Sequence, residues 1–291
     1  MDKKLRIGWI GLGKMGVPMC RRLAAAGFAV IAHVRHEAGR AKAAELGLAQ
    51  AASVSELVGQ CDVVFSAISD DRALGDVAGA LAAVLRAGQA YADTSTVSPE
   101  ASSAAGAVLA AKGIAYLRAP VSGSTATAEA GQLTIMASGP RETFDALEPV
   151  FAAFARKQFY LGAGDEARYM KLAVNAMVAA MSALVAEAAA FGRKGGLTTA
   201  AIMEVLCNSA VASPVLDYKR KMLVSEDFTA AFTVEQMMKD LDLLLATGRA
   251  VHAPLPLSAQ IRQQYEAAYL SGAGGKDYFV LAQQYAKLAG V

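Results

Sequence analysis

Histidine and cysteine are scarce in this chain, with three of each among 291 residues. His33, His36 and His252 show no zinc-ligand spacing, and Cys20, Cys61 and Cys207 fit neither a metal nor a redox pattern. This excludes a metal centre built on them and a disulfide framework, and the cysteines read as reduced thiols of a cytoplasmic protein. Charge is thin as well. Charged residues make up 19% of the chain and the net charge is +2, too little to mark nucleic acid or an anionic membrane as a partner. There is no repeat of solenoid period and no low-complexity tail. The opening stretch, Met1 to Gly11, is basic and then strand-like. It lacks the apolar core of a signal peptide. What the chain has in excess is apolar surface. Hydrophobic residues make up 55% of it, above the ordinary share, which implies extensive burial, partly against a second copy.

Leu5 to Ile10 is short, apolar and followed by glycine, as a buried strand would be. The turn Gly11-Leu12-Gly13-Lys14-Met15-Gly16 comes next, then a helix from Val17 to Ala26 and a strand from Ala29 to Val34. In that setting G-x-G-x-x-G marks a dinucleotide site. Gly11 makes the tight turn, Gly13 lets backbone approach the pyrophosphate, and Gly16 lets helix and strand pack closely. The first helix then points its free N–H groups at phosphate. The end of the second strand selects the cofactor. NAD sites usually carry an acid there for the ribose 2′-OH. Here the residues are His33-Val34-Arg35-His36, with no carboxylate before Glu37. Arg35 offers a planar cation to a 2′-phosphate, with His36 beside it, so NADP is expected over NAD. The plainer alternative is a surface arginine at a strand end.

The alternation continues. Helices are expected at Glu37–Leu46, Ser53–Val58, Asp71–Leu85, from Ser98-Pro99-Glu100 onward, and at Arg141–Phe154. Strands are expected at Asp62–Ile68, Ala90–Ala92, Ala115–Ala119, Leu133–Ser138 and near Phe159–Leu161. Such alternation implies a mostly parallel sheet covered on both faces. Gly162-Ala163-Gly164 is a natural joint. Beyond it no strand is expected, only helices broken by Gly195-Gly196, Pro214, Pro254, Pro256 and Gly272–Gly275. The chain thus reads as an α/β, Rossmann-type NADP-binding domain over 1–163 and an all-helical substrate and oligomerisation domain over 164–291. A long interdomain helix, Asp165 to Lys194, joins them.

That helix is apolar on nearly every side, and between Lys171 and Glu187 it carries no charge. A helix of this kind is expected to be buried all round. Its length would also suit a membrane span, but Lys171, Asn175, Ser182 and Glu187 argue against that, as does the lack of a second such segment. Asn175 shares a face with Lys171 one turn earlier. Alone, Lys171 reads equally well as a snorkelling surface lysine. Ala119-Pro120-Val121-Ser122-Gly123-Ser124 can present N–H groups to a carboxylate or be an ordinary polar loop. Lys239, in FTVEQMMKD, would by itself be a solvated lysine paired at best with Glu235.

Together these pieces resemble the β-hydroxyacid dehydrogenases, the family of 3-hydroxyisobutyrate dehydrogenase and tartronate semialdehyde reductase. The resemblance rests on GWIGLGKMGVPM (8–19), DTSTVSP (93–99), APVSGS (119–124), KLAVN (171–175) and MKDLDL (238–243). It implies a catalytic lysine at Lys171 and a substrate-positioning amide at Asn175. It also implies a carboxylate-receiving turn at Ser122 and Gly123, extended here by Ser124. Ser95 and Thr96 match hydroxyl residues near the nicotinamide ribose. Ile68 and Ser69 match the loop after the fourth strand that lies against the cofactor. Lys239 matches a lysine reaching the cofactor–substrate cleft from the helical domain. Three positions depart from the pattern. Ser124 stands for a usual glycine, Arg118 for a common acid and Ser69 for a common proline, and all three bear on substrate more than on chemistry.

The implied reaction moves a hydride between NADP(H) and a short β-hydroxyacid or its semialdehyde, in the cell a reduction of semialdehyde or glyoxylate. Lys171 gives or takes the proton. A free lysine titrates near about 10.4, and apolar surroundings with Lys239 nearby would draw it toward working pH. The rival readings are an imine reductase, which usually lacks the lysine at position 171, and a non-catalytic NADP-binding scaffold. A homodimer or homotetramer is implied, with no metal, nucleic acid or membrane.

Overall fold

The computed structural model describes residues 4–291. The basic start at Met1–Lys3 lies outside them. The chain divides into two compact units, Met1–Lys171 and Leu172–Val291.

The first unit alternates strand and helix. In order it contains β1 (Arg6–Ile10), α1 (Gly16–Ala25), β2 (Ala29–His33), α2 (Glu37–Glu45), β3 (Ala49–Ala51), α3 (Val54–Gln60), β4 (Val63–Ser66), α4 (Asp71–Ala82), β5 (Ala90–Asp93), α5 (Pro99–Ala110) and β6 (Ala115–Arg118). The six strands form one sheet in the order β3-β2-β1-β4-β5-β6, and every pairing is parallel. Covered on both faces, its inner strands are almost wholly apolar. On one side Trp9 stacks on Phe65 and Phe151 meets Phe65 edge-on, each pair at 5.8 Å. On the other, Leu74, Leu81, Tyr91 and Tyr116 build a second core. The strand order reverses between β1 and β4, which opens a crevice at their carboxyl ends.

A small sheet completes the unit. It is made from β7 (Val121–Ser122), β8 (Leu133–Ala137) and β9 (Ala155–Tyr160), with α6 (Thr125–Glu129) and α7 (Arg141–Phe151) between them. β7 runs antiparallel to β8, and β9 parallel to it. The structure corrects four expectations here. β3, β7 and α6 are too short to carry a periodic signal. β9 starts at Ala155, four residues before the apolar stretch, because Arg156 and Lys157 face out from an edge strand. Serine and aspartate side chains start several helices: Ser98 accepts from Ala101 N–H ahead of Pro99, and Asp70 from Ala73 N–H.

The long helix α8 spans Glu166–Lys194, about 44 Å at about 1.5 Å per residue. Its first turn belongs to the first unit. There Ala167 N–H donates to Ser138 Oγ, and Asp165 accepts Arg118 Nε at 2.8 Å. The helical unit continues with α9 (Thr199–Cys207), α10 (Pro214–Ser225), α11 (Val234–Ala250), α12 (Pro256–Ala268), a π turn at Tyr269–Ala273, a 3-10 turn at Tyr278–Val280 and α13 (Leu281–Ala289). Met203, Leu216, Met237, Leu241, Tyr265 and Phe279 form its core. A buried Lys219–Asp277 pair at 2.6 Å ties α10 to the 3-10 turn. The expectation that α8 is buried all round does not hold. Met177, Leu184 and Phe191, seven residues apart, are exposed at 69%, 64% and 83%. By length and composition alone α8 could cross a membrane. Its polar residues are nonetheless paired with protein, Ser182 Oγ donating to the Tyr278 carbonyl and Asn175 bonded to Asp240.

Candidate active site

The glycine turn occupies the crevice end of β1. Gly11 has φ +97°, and a Cβ there would lie 2.2 Å from the Ala67 carbonyl oxygen. At Gly16 a Cβ would lie 2.0 Å from the Gly11 carbonyl oxygen. Both positions exclude every side chain. Around Gly13 an added Cβ meets nothing within 4 Å, so backbone there is open to a ligand. Leu12 is buried, while Lys14 is exposed and Met15 stands at the start of α1. No side chain caps α1 and no acid lies in its first turn, which leaves its N–H groups and the positive end of its dipole for an anion. These residues fit the pyrophosphate of a dinucleotide.

At the end of β2, Arg35 and His36 are exposed. The next carboxylate along the chain, Glu37, lies in the first turn of α2 and accepts Arg40 Nε at 3.1 Å. The strand end therefore presents the exposed Arg35 and His36.

The loops after β4 and β5 are bound to each other. Ile68 N–H donates to Ser95 Oγ at 2.8 Å, and that hydroxyl donates to Asp93 Oδ1 at 2.7 Å. Ser95 is thus a brace with its hydroxyl committed, and Thr96, half-buried, is the next hydroxyl along the loop. Ser69 Oγ donates to Asp70 at 2.6 Å. Further on, Gly123 has φ +141°, and a Cβ would lie 2.4 Å from Thr127 Oγ1. Ser124 caps α6. Its N–H donates to Thr127 Oγ1 at 2.6 Å, and its hydroxyl accepts from Thr127 N–H. The departure at Ser124 thus starts a helix. Ser122 is half-buried at the head of this turn.

Lys171 is buried on α8 at 9% exposure. One turn before it lies a residue that the sequence reading passed over. Arg168 is wholly buried, and its guanidinium reaches Asp93, the Ser95 carbonyl, Tyr116 and Ser102. Burial opposes the Arg168 charge, but Tyr116 and Asp93 outweigh it and hold the cation firmly protonated. One signal was available: a cation in the first turn of a helix opposes the dipole, so it needs a partner. Arg118, the other departure, lies over the Tyr116 ring at 4.5 Å and pairs with Asp165. It anchors α8 in the position of a common acid.

In the helical unit the second missed residue is Asp240, 2% exposed. Asn175 Nδ2 donates to its Oδ2 at 2.5 Å, and Lys239 Nζ lies 3.0 Å from its Oδ1. Lys239 therefore pairs with Asp240, its neighbour in the chain. The bond to Asp240 holds the Asn175 amide by its nitrogen.

The sheet order and the glycine turn define a protein of the dinucleotide-binding class. Residues 6–162 match the family model described as the NAD binding domain of 6-phosphogluconate dehydrogenase. Residues 162–285 match that described as NAD-binding of NADP-dependent 3-hydroxyisobutyrate dehydrogenase. The L-threonate dehydrogenase of Cupriavidus necator is 35% identical over 275 residues, 93% of each chain. The chloroplastic glyoxylate/succinic semialdehyde reductase 2 of Arabidopsis thaliana is 30% identical over 94% of this chain and 77% of its own. The solved 3-hydroxyisobutyrate dehydrogenase of Mycobacterium tuberculosis with L-serine has TM-score 0.88 and 25% identity, covering 97% of this chain and 99% of that one. The chain belongs to the β-hydroxyacid dehydrogenase family, as an NAD(P)-dependent hydroxyacid dehydrogenase.

Proposed function

We propose that this protein uses NADP and acts mainly as a reductase of a short semialdehyde acid or glyoxylate, with Lys171 as general acid and, in the reverse direction, general base. The reading takes 1–163 as the cofactor domain and 164–291 as the substrate and oligomerisation domain. The observation that carries it is Lys171, a buried amine one turn past the point where α8 is bolted to the loops after β4 and β5.

The glycine turn would hold the pyrophosphate of NADP(H), whose nicotinamide would supply or accept the hydride. The Ser122–Gly123 turn takes the substrate carboxylate through backbone N–H groups. Lys171 gives a proton to the carbonyl oxygen as charge grows on it, or takes one from the hydroxyl. Asn175, held through its nitrogen by Asp240, helps to position the substrate. Arg35 and His36 take the 2′-phosphate, and Lys239 is assigned to the cofactor side. NADP is supported by the exposed Arg35 at the end of β2 and by the NADP-dependent family matched over 162–285. Semialdehyde reduction is supported by the Arabidopsis relative's name. We place the enzyme in the cytoplasm, its two buried cysteines being free thiols.

A panel of short semialdehydes, glyoxylate and a cyclic imine, each with NADPH and NADH, tests the substrate class. Lys171→Ala should lower kcat on the best substrate by about a hundred- to ten-thousand-fold and keep NADPH affinity. Turnover within tenfold of the unaltered enzyme would remove the role. Activity on the imine alone would replace the reading with imine reduction.

A further inference from the structure

We infer that Arg168 is a positioning residue that sets the Lys171 turn of α8 against the loops carrying Ile68, Ser95 and Thr96, an inference that rests on the role proposed for Lys171. The guanidinium makes four hydrogen bonds: Nη2 to Asp93 Oδ2 at 2.7 Å and to Tyr116 Oη at 2.8 Å, Nη1 to the Ser95 carbonyl at 2.7 Å, and Nε to Ser102 Oγ at 3.2 Å. Its partner Asp93 is wholly buried. That carboxylate also accepts from Ser66 Oγ at 2.5 Å and from Ser95 Oγ at 2.7 Å. Since Ser66 spends its proton on Asp93, Tyr91 Oη donates to Ser66, at 2.7 Å. Ser95 Oγ in turn receives Ile68 N–H. One buried cation–carboxylate pair thus joins the end of β4, the end of β5, α5, β6 and the first turn of α8.

The geometry is specific to a guanidinium. A planar fork reaches several acceptors at fixed angles, whereas an ammonium on a flexible stem cannot meet all four. Lys171 follows three residues later on the same rigid helix, so its amine inherits the register that Arg168 sets. Movement of a catalytic group by about 1 Å costs about 100-fold in rate.

Arg168→Met alone would strand Asp93 and threatens folding. The test therefore uses Arg168→Lys, which keeps the charge, and the double variant Arg168→Met with Asp93→Asn, which removes both charges. Folding is checked by thermal melting. Each should lower kcat about 100-fold with KM for NADPH within threefold, and the pH limb that Lys171→Ala abolishes should shift. Lys219→Met, which breaks the buried pair of the helical unit, controls for lost stability alone and should keep kcat within threefold where it is folded. If the unaltered protein reduces nothing in the panel, the function fails, and reductive methylation mapped by mass spectrometry decides the positioning claim separately. The Lys171 labelling rate should then change at least threefold in both variants while Lys14 and Lys42 keep theirs. Folded variants with kcat, pH profile and Lys171 labelling all unchanged would overturn the inference.

Discussion

The three glycines of the nucleotide turn should respond to the same substitution in different ways, because alanine meets different surroundings at each. At Gly16 the new Cβ would sit 2.0 Å from a carbonyl oxygen of the turn itself, and at Gly11 it would sit 2.2 Å from Ala67 with φ at +97°. Either change forces backbone to move, and a non-glycine residue held at such a φ costs about 1–3 kcal/mol before the clash is counted. Gly13 has neither problem. Alanine there is unstrained and touches nothing, so the ligand-free protein should melt as before, or slightly higher through the stiffer unfolded chain, by about 0.4–1 kcal/mol. The cost appears only with cofactor, since the methyl occupies space that the pyrophosphate needs. A tenfold loss of affinity is about 1.4 kcal/mol. With NADPH at about 100 times the Kd of the unaltered enzyme, ligand stabilisation should fall from about 2.7 to about 1.4 kcal/mol. Thermal melts with and without NADPH, with a fluorescence titration for Kd, read both quantities. Gly13→Ala binding NADPH at full strength would refute the placement of the phosphates. Gly11→Ala or Gly16→Ala melting normally would refute the turn geometry.

Other consequences are open to direct measurement. Arg35→Ala should weaken NADPH much more than NADH, and equal losses would take the 2′-phosphate away from Arg35. Burial raises the Cys61 thiol from 9.0 to about 11. Its folded value lies above the unfolded one, so its contribution is complete below pH 9 and is lost as pH rises toward 11, by at most about 3 kcal/mol. Cys61→Ala should flatten the alkaline fall in stability, and an unchanged slope would show that other groups cause it. The exposed Leu184 and Phe191 on α8 support the proposed homo-oligomer. Leu184→Glu with Phe191→Glu should reduce the mass seen by light scattering to that of one chain, and a protein already of that mass would exclude the assembly.

Local signals carried much of this protein. The glycine turn, the apolar runs of β1, β4 and β5, the serine and proline at the start of α5, and the length of α8 each depend on residues within a few positions of one another. They are therefore legible along the chain, as is the missing acid at the end of β2. The family follows from five such local motifs in order. What escaped is pairing over distance. Arg168 and Asp93 are 75 residues apart, Asn175 and Asp240 are 65 apart, and Arg118 and Asp165 are 47 apart. A charged side chain gives no local sign of which distant group will desolvate with it, so Arg168 resembles a surface residue until the sheet closes around it. Composition likewise shows that α8 is apolar but not which stripe is left uncovered, because that depends on how its neighbours pack. Sequence alone determined the family and which residues are proposed to bear the chemistry, since both are read from local motifs. Tertiary structure decided what holds each of them in place, since a buried charge takes its partner from whatever the fold brings within hydrogen-bonding reach.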